Sequence, residues 1–514
     1  MIALRYLILT LLIIPTVLLS QQYKKELNDI DDYIKKSMKE WEIPGLAIGI
    51  VKDDSLIFAK GYGVRDINKG GKVDENTVFG IASNTKAFTV AALAMLVEDK
   101  QINWDDPVIK YLPYFEMYDP YVTKEMRIRD LLCHRAGYKT FAGDLLWHST
   151  NYSREDIIKR IKYLKPTYSF RYHYGYSNLM FLTAGEIIPA VTGISYDDFL
   201  KTKIFEPLGM TRTNTSIKTF DKIENLAYPH DKKDGKTIRI KYISWDNIAP
   251  AGGINSCVTD MSKWIKLQLN HGIYKNNKYF SKESQKVMWT PHTVEELTAT
   301  DEYLFPSMHF NIYGLGWDMF DYHGRKIVNH SGGLDGMISQ LALVPEENLG
   351  FVVLTNSMNY LPYALMFKIL DIFFHEDGKD YSSIFFNYYQ QNKNYKENLW
   401  RIAESSRDAK SKPSFPLEKY TGTYKSELYG NAIVSIENKK LKVQFVPAPE
   451  FVSTLEHWEN DTFVIEFKAF PSLPKGLCYF ISDESDTDVR QMKIEIDNPD
   501  FDFTELEFFK VKDE

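Results

Sequence analysis

The chain has 514 residues, 44% of them hydrophobic and 25% charged, with a formal net charge of -7 from 62 basic and 69 acidic residues. That length corresponds to roughly two to four structural units, and the mild acidic excess leaves no basic footprint, which argues against nucleic acid as a partner. Three cysteines (Cys133, Cys257 and Cys478) are too few and odd for a disulfide framework, and C-x-x-C, H-E-x-x-H, the P-loop and the dinucleotide glycine fingerprint are all absent.

Residues 6–19 form an almost continuous apolar run behind Arg5, interrupted by Thr10, Pro15 and Thr16. Small Ser20 and polar Gln21, Gln22 and Tyr23 follow, which is the layout of a secretory signal. Leu18 is a poor residue two places before Ser20, so the cleavage position stays open. The alternative is an uncleaved anchor, but the run falls short of the roughly 20 residues that span a bilayer. No cysteine follows it, which disfavours a lipid anchor. The expectation is an exported chain, periplasmic or extracellular in a bacterium, with no stable membrane insertion after cleavage.

Residues 26–41 read as an amphipathic helix, and 45–51 (GLAIGIV) and 55–62 (SLIFAKGY) as a β-hairpin. Residues 83–99 carry helix formers and an apolar stripe of Ala87, Val90, Ala91, Ala94, Met95 and Val97. From about residue 105 to 310 helical segments alternate with loops, among them 128–134, 179–191 and 260–270. Strand patterning returns at 326–329, 338–344 and 349–355, before a last apolar helix at 360–374. Strands from both ends can share one sheet. The pattern reads as α+β, one sheet with a helical insertion beside it. Residues 376–413 are rich in Asn, Lys, Tyr, Ser and Asp and read as a linker or a solvated helix. Beyond Pro416, short runs at 422–425, 432–436, 441–445, 462–467, 478–482 and 490–496 predict a small all-β sandwich or barrel. The acidic end, 497–514, reads as strand ends and surface. The boundaries are 1–20 for the signal, 21–378 for the α+β domain, 379–414 for the linker and 415–514 for the β domain.

The chemistry concentrates at FGIASNTK, residues 79–86. Residues three apart on a helix share a face, so Ser83 Oγ and the Lys86 amine can meet. A serine hydroxyl needs a base to become a nucleophile, and a lysine serves if burial lowers its pKa. Helix N-terminal N–H groups favour the negative charge of acyl transfer. The tetrapeptide alone is weak: a second S-x-x-K, residues 472–475, lies among prolines and reads as a turn.

Two further elements follow in order. Tyr176, Ser177 and Asn178 form a Y-x-N at the head of a long helical segment, and His330, Ser331, Gly332 and Gly333 follow a strand. With IRDLLCHRAG (128–137), PAGGINS (250–256) and YGLGW (313–317), the chain resembles the serine β-lactamase and penicillin-binding-protein superfamily over about residues 30 to 375, most closely class C-like esterases and D-aminopeptidases. The resemblance implies Ser83 as nucleophile, with Lys86 and Tyr176 sharing its proton in an order left open. It implies Asn178 orienting Lys86 or binding the substrate amide, an oxyanion hole from the Ser83 and Gly333 N–H groups, and substrate contacts from His330, Ser331, Gly332 and Gly333. The implied fold is an α+β antiparallel sheet flanked by helices with a helical insertion, and no metal or cofactor is implied. The C-terminal part resembles, thinly, a lipocalin-like domain.

One departure matters: His330 stands where penicillin-recognising relatives carry lysine. A histidine is largely neutral at pH 7 and is a weaker carboxylate site. Esters, or peptides with a free D-amino end, are favoured over β-lactams. His134 reads as a structural residue pinning its turn, Glu186 as solvated or salt-bridged, His173 as able to reach the cleft, and Trp147 and the aromatics of 111–121 as core or pocket wall. The expected function is an exported serine hydrolase of a small-molecule ester, peptide or β-lactam. The alternative is a catalytically silent relative that binds cell-wall peptides or other ligands. Oligomeric state stays open.

Overall fold

The computed structural model describes residues 21–483 and 487–511; the secretory-signal reading of residues 1–20 lies outside the described residues. Helix α1 (Lys24–Trp41) buries Leu27, Ile30, Ile34 and Trp41, a spacing that lines one helical face, and Glu42 ends it with a left-handed φ of 56°. The hairpin β1 (Gly45–Lys52) and β2 (Ser55–Asp66) follows, with the short β3 (Gly70–Lys72) at its edge. Helix α2 (Thr85–Glu98) is buried nearly all round, which explains why an apolar stripe was only part of its pattern. Helix α3 (Asn178–Thr192) and helix α4 (Val258–Leu269) belong to the helical insertion.

The chain then returns to the sheet through β4 (Thr293–Glu295), β5 (Asn311–Tyr313), β6 (Asp318–Tyr322), β7 (Arg325–Leu334), β8 (Met337–Val344) and β9 (Leu349–Thr355). The nine strands run in the order β4-β5-β6-β7-β8-β9-β1-β2-β3, each paired antiparallel with its neighbour. β1 pairs with β9, Leu46 opposite Thr355 and Lys52 opposite Leu349, so strands from both ends do share one sheet. One face packs on α1 and on α5 (Leu361–Phe374), through Ile34, Ile48, Phe351 and Leu365. The other face packs on α2 and α4, where Phe88 stacks on Trp264 at 3.7 Å between ring centroids. Each such side chain, fully buried, contributes about 1.5–3 kcal/mol. Strands β4, β5 and β6 were not legible in the sequence: they are three to five residues long and carry Glu295, Asn311, Asp318 and Asp321.

Residues 381–406 form one 26-residue helix, α6 (Tyr381–Ser406), tied to α1 by a hydrogen bond from Trp41 Nε1 to Ser382 Oγ at 3.0 Å. The C-terminal β region contains nine strands in a single antiparallel sheet, from Val452–Thr454 at one edge to Glu456–Glu459 at the other. Those two edges are consecutive in the chain, joined at Leu455, so the sheet curls into a nearly closed barrel. Six of the strands match the sequence pattern. Val452–Thr454, Glu456–Glu459 and Phe508–Lys510 are too short to have shown one.

The barrel packs on residues 139–160 of the helical insertion. Arg160 Nη1 donates to the carbonyls of Glu427 and Leu428 at 2.9 and 3.0 Å, and Asn151 N donates to Pro447 O at 2.7 Å. The His148 ring meets Phe501 at 4.5 Å and Phe470 at 5.2 Å. The acidic end is therefore not plain surface: residues 498–501 and 471–474, the latter the prolines of the second S-x-x-K, reach the cleft described next.

Candidate active site

Ser83 sits in a tight 3₁₀ turn, Ala82–Asn84, one step before α2 rather than on the α-helix itself. Ala82 takes a left-handed φ of 46°, a conformation that costs an alanine about 1–2 kcal/mol. Strand β8 holds the turn in place: Asn84 Nδ2 donates to Ser339 Oγ at 2.8 Å, and Ser339 Oγ donates to Ile81 O at 2.7 Å. Ser83 is half-buried at the cleft floor, while Lys86 is wholly buried.

The Lys86 Nζ lies 3.0 Å from Ser83 Oγ, 2.7 Å from Asn178 Oδ1 and 2.9 Å from Ala251 O. Burial pushes its pKa down from 10.5 to about 7, against a smaller upward pull from Asp144 and Asp318. Among the described residues, its hydrogen-bond partners are a hydroxyl, an amide oxygen and a carbonyl, with no carboxylate to hold the charged form.

Tyr176 leads into α3, of which Asn178 is the first residue. Tyr176 lines the cleft with Ser83, and its ring centre lies 4.6 Å from Lys86 Nζ. Burial pushes the phenol well above its usual 10, so Tyr176 stays protonated. His134 fixes this turn: its Nδ1 accepts from Ser177 N at 3.0 Å, its carbonyl accepts from Gly175 N at 2.8 Å, and its ring lies 4.1 Å from that of Tyr176. Burial holds the imidazole neutral.

On β7, Ser331 and Gly333 face the cleft and Gly332 is buried against the nucleophile turn. A Cβ on Gly332 would lie 2.4 Å from Ile81 O and 2.9 Å from Ser83 N, so only glycine lets the strand come this close. That approach brings the backbone of β7 up against the nucleophile turn.

His330 differs from the expectation that it could donate to substrate. Its Nδ1 is hydrogen-bonded to Ser331 O, a pure acceptor, so Nδ1 carries the proton. Its Nε2 therefore accepts, from Tyr313 Oη at 2.9 Å. Burial, with Lys86 nearby, pushes its pKa down to about 3. No N–H remains for a substrate carboxylate.

These groups line one cleft of about 1920 Å³. It runs from Ser83 and Tyr176 past Leu334 and Asp335 to Tyr360 and Tyr388, with residues 471–474 and 498–501 of the barrel along one side. Trp147 is part of its wall. His173 is not; it packs on Tyr168, and the neighbouring Tyr174 lines the cleft instead. Glu186 is in an ion pair with Arg154 at 3.4 Å. Glu295 and Asp318, on β4 and β6, are neighbouring carboxyls in the cleft wall; burial raises the pKa of both, and the Glu295 charge raises that of Asp318 further. The acidic cleft residues Asp231, Asp234, Asp335 and Asp500 face only two cleft lysines, of which Lys232 is paired with Glu42 at 2.9 Å. Sequence reasoning missed Asp144, Glu295 and Asp318, because nothing in their local sequence marks them; Tyr313 opens the YGLGW stretch but was given no role there.

Residues 30–366 match the family model described as Beta-lactamase, and residues 406–510 match that of a domain of unknown function, DUF3471. Unguisins hydrolase ungD' of Aspergillus campestris is 29% identical over 427 residues, 77% of this chain and 75% of that protein. Protein flp of Staphylococcus aureus is 30% identical over 340 residues, 65% of this chain and 64% of that protein. The octameric penicillin-binding protein homologue from Pyrococcus abyssi shares the fold at a TM-score of 0.62 and 22% identity, over 94% of this chain and 99% of that one. The family match over the helical and sheet domain, together with a Ser83 and Lys86 pair in hydrogen-bond contact, means that the chain belongs to the beta-lactamase family, as a serine hydrolase carrying a nearly closed C-terminal barrel.

Proposed function

We propose that the protein hydrolyses an ester or amide through an acyl-enzyme on Ser83, with neutral Lys86 as the base. The three contacts of Lys86 Nζ carry this reading. Asn178 Oδ1 and Ala251 O can only accept, so they take both N–H bonds of a neutral amine. The remaining direction, the lone pair, faces the Ser83 hydroxyl. As Oγ attacks the carbonyl carbon, its proton passes to Nζ. The N–H groups of Ser83 and Gly333 receive the developing oxyanion, each such donor contributing about 3–4 kcal/mol. The protonated Tyr176 phenol, in the cleft beside Ser83 and Lys86, offers a path for the proton to the leaving group. Water then releases the acyl group by the reverse sequence.

A cleft of about 1920 Å³ exceeds the roughly 300–1,000 Å³ of sites for drug-sized ligands, which supports a bulky substrate such as a peptide. Two relatives carry the name unguisins hydrolase, which supports hydrolysis as the reaction class. His330 without a free N–H, beside a mostly acidic wall, weighs against substrates that need a carboxylate held. The layout of residues 1–20 supports action outside the cytoplasm.

The test is turnover of a chromogenic short-chain ester, a D-alanine anilide and a chromogenic cephalosporin, beside Ser83→Ala. The ester and anilide are turned over, the cephalosporin about 100-fold more slowly for want of one charged hydrogen bond, and all activity vanishes in the variant. No turnover and no covalent label on Ser83 in the unmodified chain would overturn the proposal in favour of a silent binding protein.

A further inference from the structure

The asparagine that faces Lys86 is itself held from behind. Asn178 Nδ2 donates to Asp144 Oδ2 at 2.6 Å, and the other Asp144 oxygen is buried with no partner. Asp144 is only 2% exposed. An asparagine amide can turn either its oxygen or its NH₂ toward a neighbour. Burial raises the Asp144 carboxyl to about 7; in its ionised form, above that pH, it can only accept, so Asp144 makes Asn178 present its NH₂ backwards and its oxygen to Lys86. A flipped amide would set N–H against the N–H bonds of the lysine and turn its lone pair away from Ser83.

Asp144 follows Gly143, whose φ of 78° and 2.6 Å approach of a notional Cβ to Leu179 Cδ1 confine the site to glycine. The Gly143 N–H does not bond within its own domain. It donates at 2.9 Å to Glu505 Oε2 of the barrel, and the same oxygen accepts from Tyr429 Oη at 2.5 Å. Both barrel residues are far from Gly143 in the chain. Contacts therefore run unbroken from the barrel to the nucleophile: Tyr429, Glu505, Gly143, Asp144, Asn178, Lys86, Ser83.

We propose that Asp144 is a positioning residue for Lys86, and that the C-terminal barrel, through Glu505, holds the turn that carries it. The barrel is then a working part of the hydrolase. This rests on Lys86 as the base of the acylation step.

The test uses the full chain and p-nitrophenyl acetate, following the second-order rate of Ser83 acylation from pH 5 to 10 beside the melting temperature. Asp144→Asn keeps an oxygen for Asn178 but loses the negative charge that favours protonated lysine, so the acid limb of the rate profile moves about one pH unit toward lower pH. A role in packing alone would lower the rate without moving the limb. Asp144→Ala frees the amide and drops the rate by about 100-fold. Glu505→Gln keeps one acceptor oxygen for both donors and retains the wild-type rate, whereas Glu505→Ala lowers kcat about ten-fold with little change in KM. An Asp144→Asn profile superimposable on wild type would overturn the role of Asp144. Equal rates for Glu505→Ala and Glu505→Gln would overturn the role of the barrel. Absence of Ser83 acylation in the wild type would instead remove the reading on which both rest.

Discussion

Replacing Lys86 with methionine turns the buried amine into a stability measurement. The folded chain depresses the lysine from 10.5 to about 7, which corresponds to about 5 kcal/mol at 1.36 kcal/mol per unit. The unfolded chain binds the extra proton between pH 7 and 10.5, so this cost is fully present below pH 7 and is relieved as pH rises through that window. Methionine fills the same stem volume and does not titrate. It leaves Asn178 Oδ1 and Ala251 O without their donor, at about 1–3 kcal/mol each. At pH 7 the variant is thus close to wild type in stability; near pH 10 it is clearly the weaker. Other groups titrate in both proteins and cancel, so the gap between them widens by about 4 kcal/mol from pH 7 to pH 10. Urea unfolding followed by tryptophan fluorescence at pH 7, 8.5 and 10 measures it. A gap constant within about 1 kcal/mol would refute a buried neutral lysine.

The same amine sets the pH dependence of activity: kcat/KM for a neutral ester is half-maximal near pH 7 and falls ten-fold per unit below about pH 6, as Lys86 takes up its proton. Gly332→Ala pushes a methyl into Ile81 O and the Ser83 backbone and lowers kcat by about 100-fold, with circular dichroism unchanged. Asp130, with no exposed side-chain surface, pairs with Arg135 at 2.7 Å and Arg171 at 2.6 Å. Asp130→Ala strands both guanidinium groups near the turn of His134 and destabilises the protein by about 3–5 kcal/mol, read as a lower urea midpoint.

What the sequence made legible follows the range of the interactions involved. Ser83 and Lys86 meet through a local spacing of three residues, which reads directly from the chain. Tyr176, Asn178 and Gly333 were reachable only through resemblance to a family, because tertiary folding alone brings them to Ser83. Asp144 had neither signal: no motif includes it, and only the contact with Asn178 gives its carboxylate a purpose. For His330, the residue type was legible but not its state, which depends on Tyr313 across β5. In the fold, the long apolar runs of β1, β8 and β9 declared themselves, while β4, β5 and β6 place carboxylates and an amide on the cleft side and lose their alternation. Residues 498–501 read as strand ends and surface because their partners lie in another domain.

The pairing of β1 with β9 has a consequence for how the chain comes together. The first strand of the sheet meets that partner only after roughly 300 further residues have been made, and at synthesis rates of about 5–20 residues per second that is a wait of roughly 15–60 s. Through that interval the hairpin presents an apolar edge with open backbone groups, the most adhesive surface of the nascent chain. High contact order makes the final closure slow, so holdase binding to residues 45–66 is expected to govern yield more than equilibrium stability does.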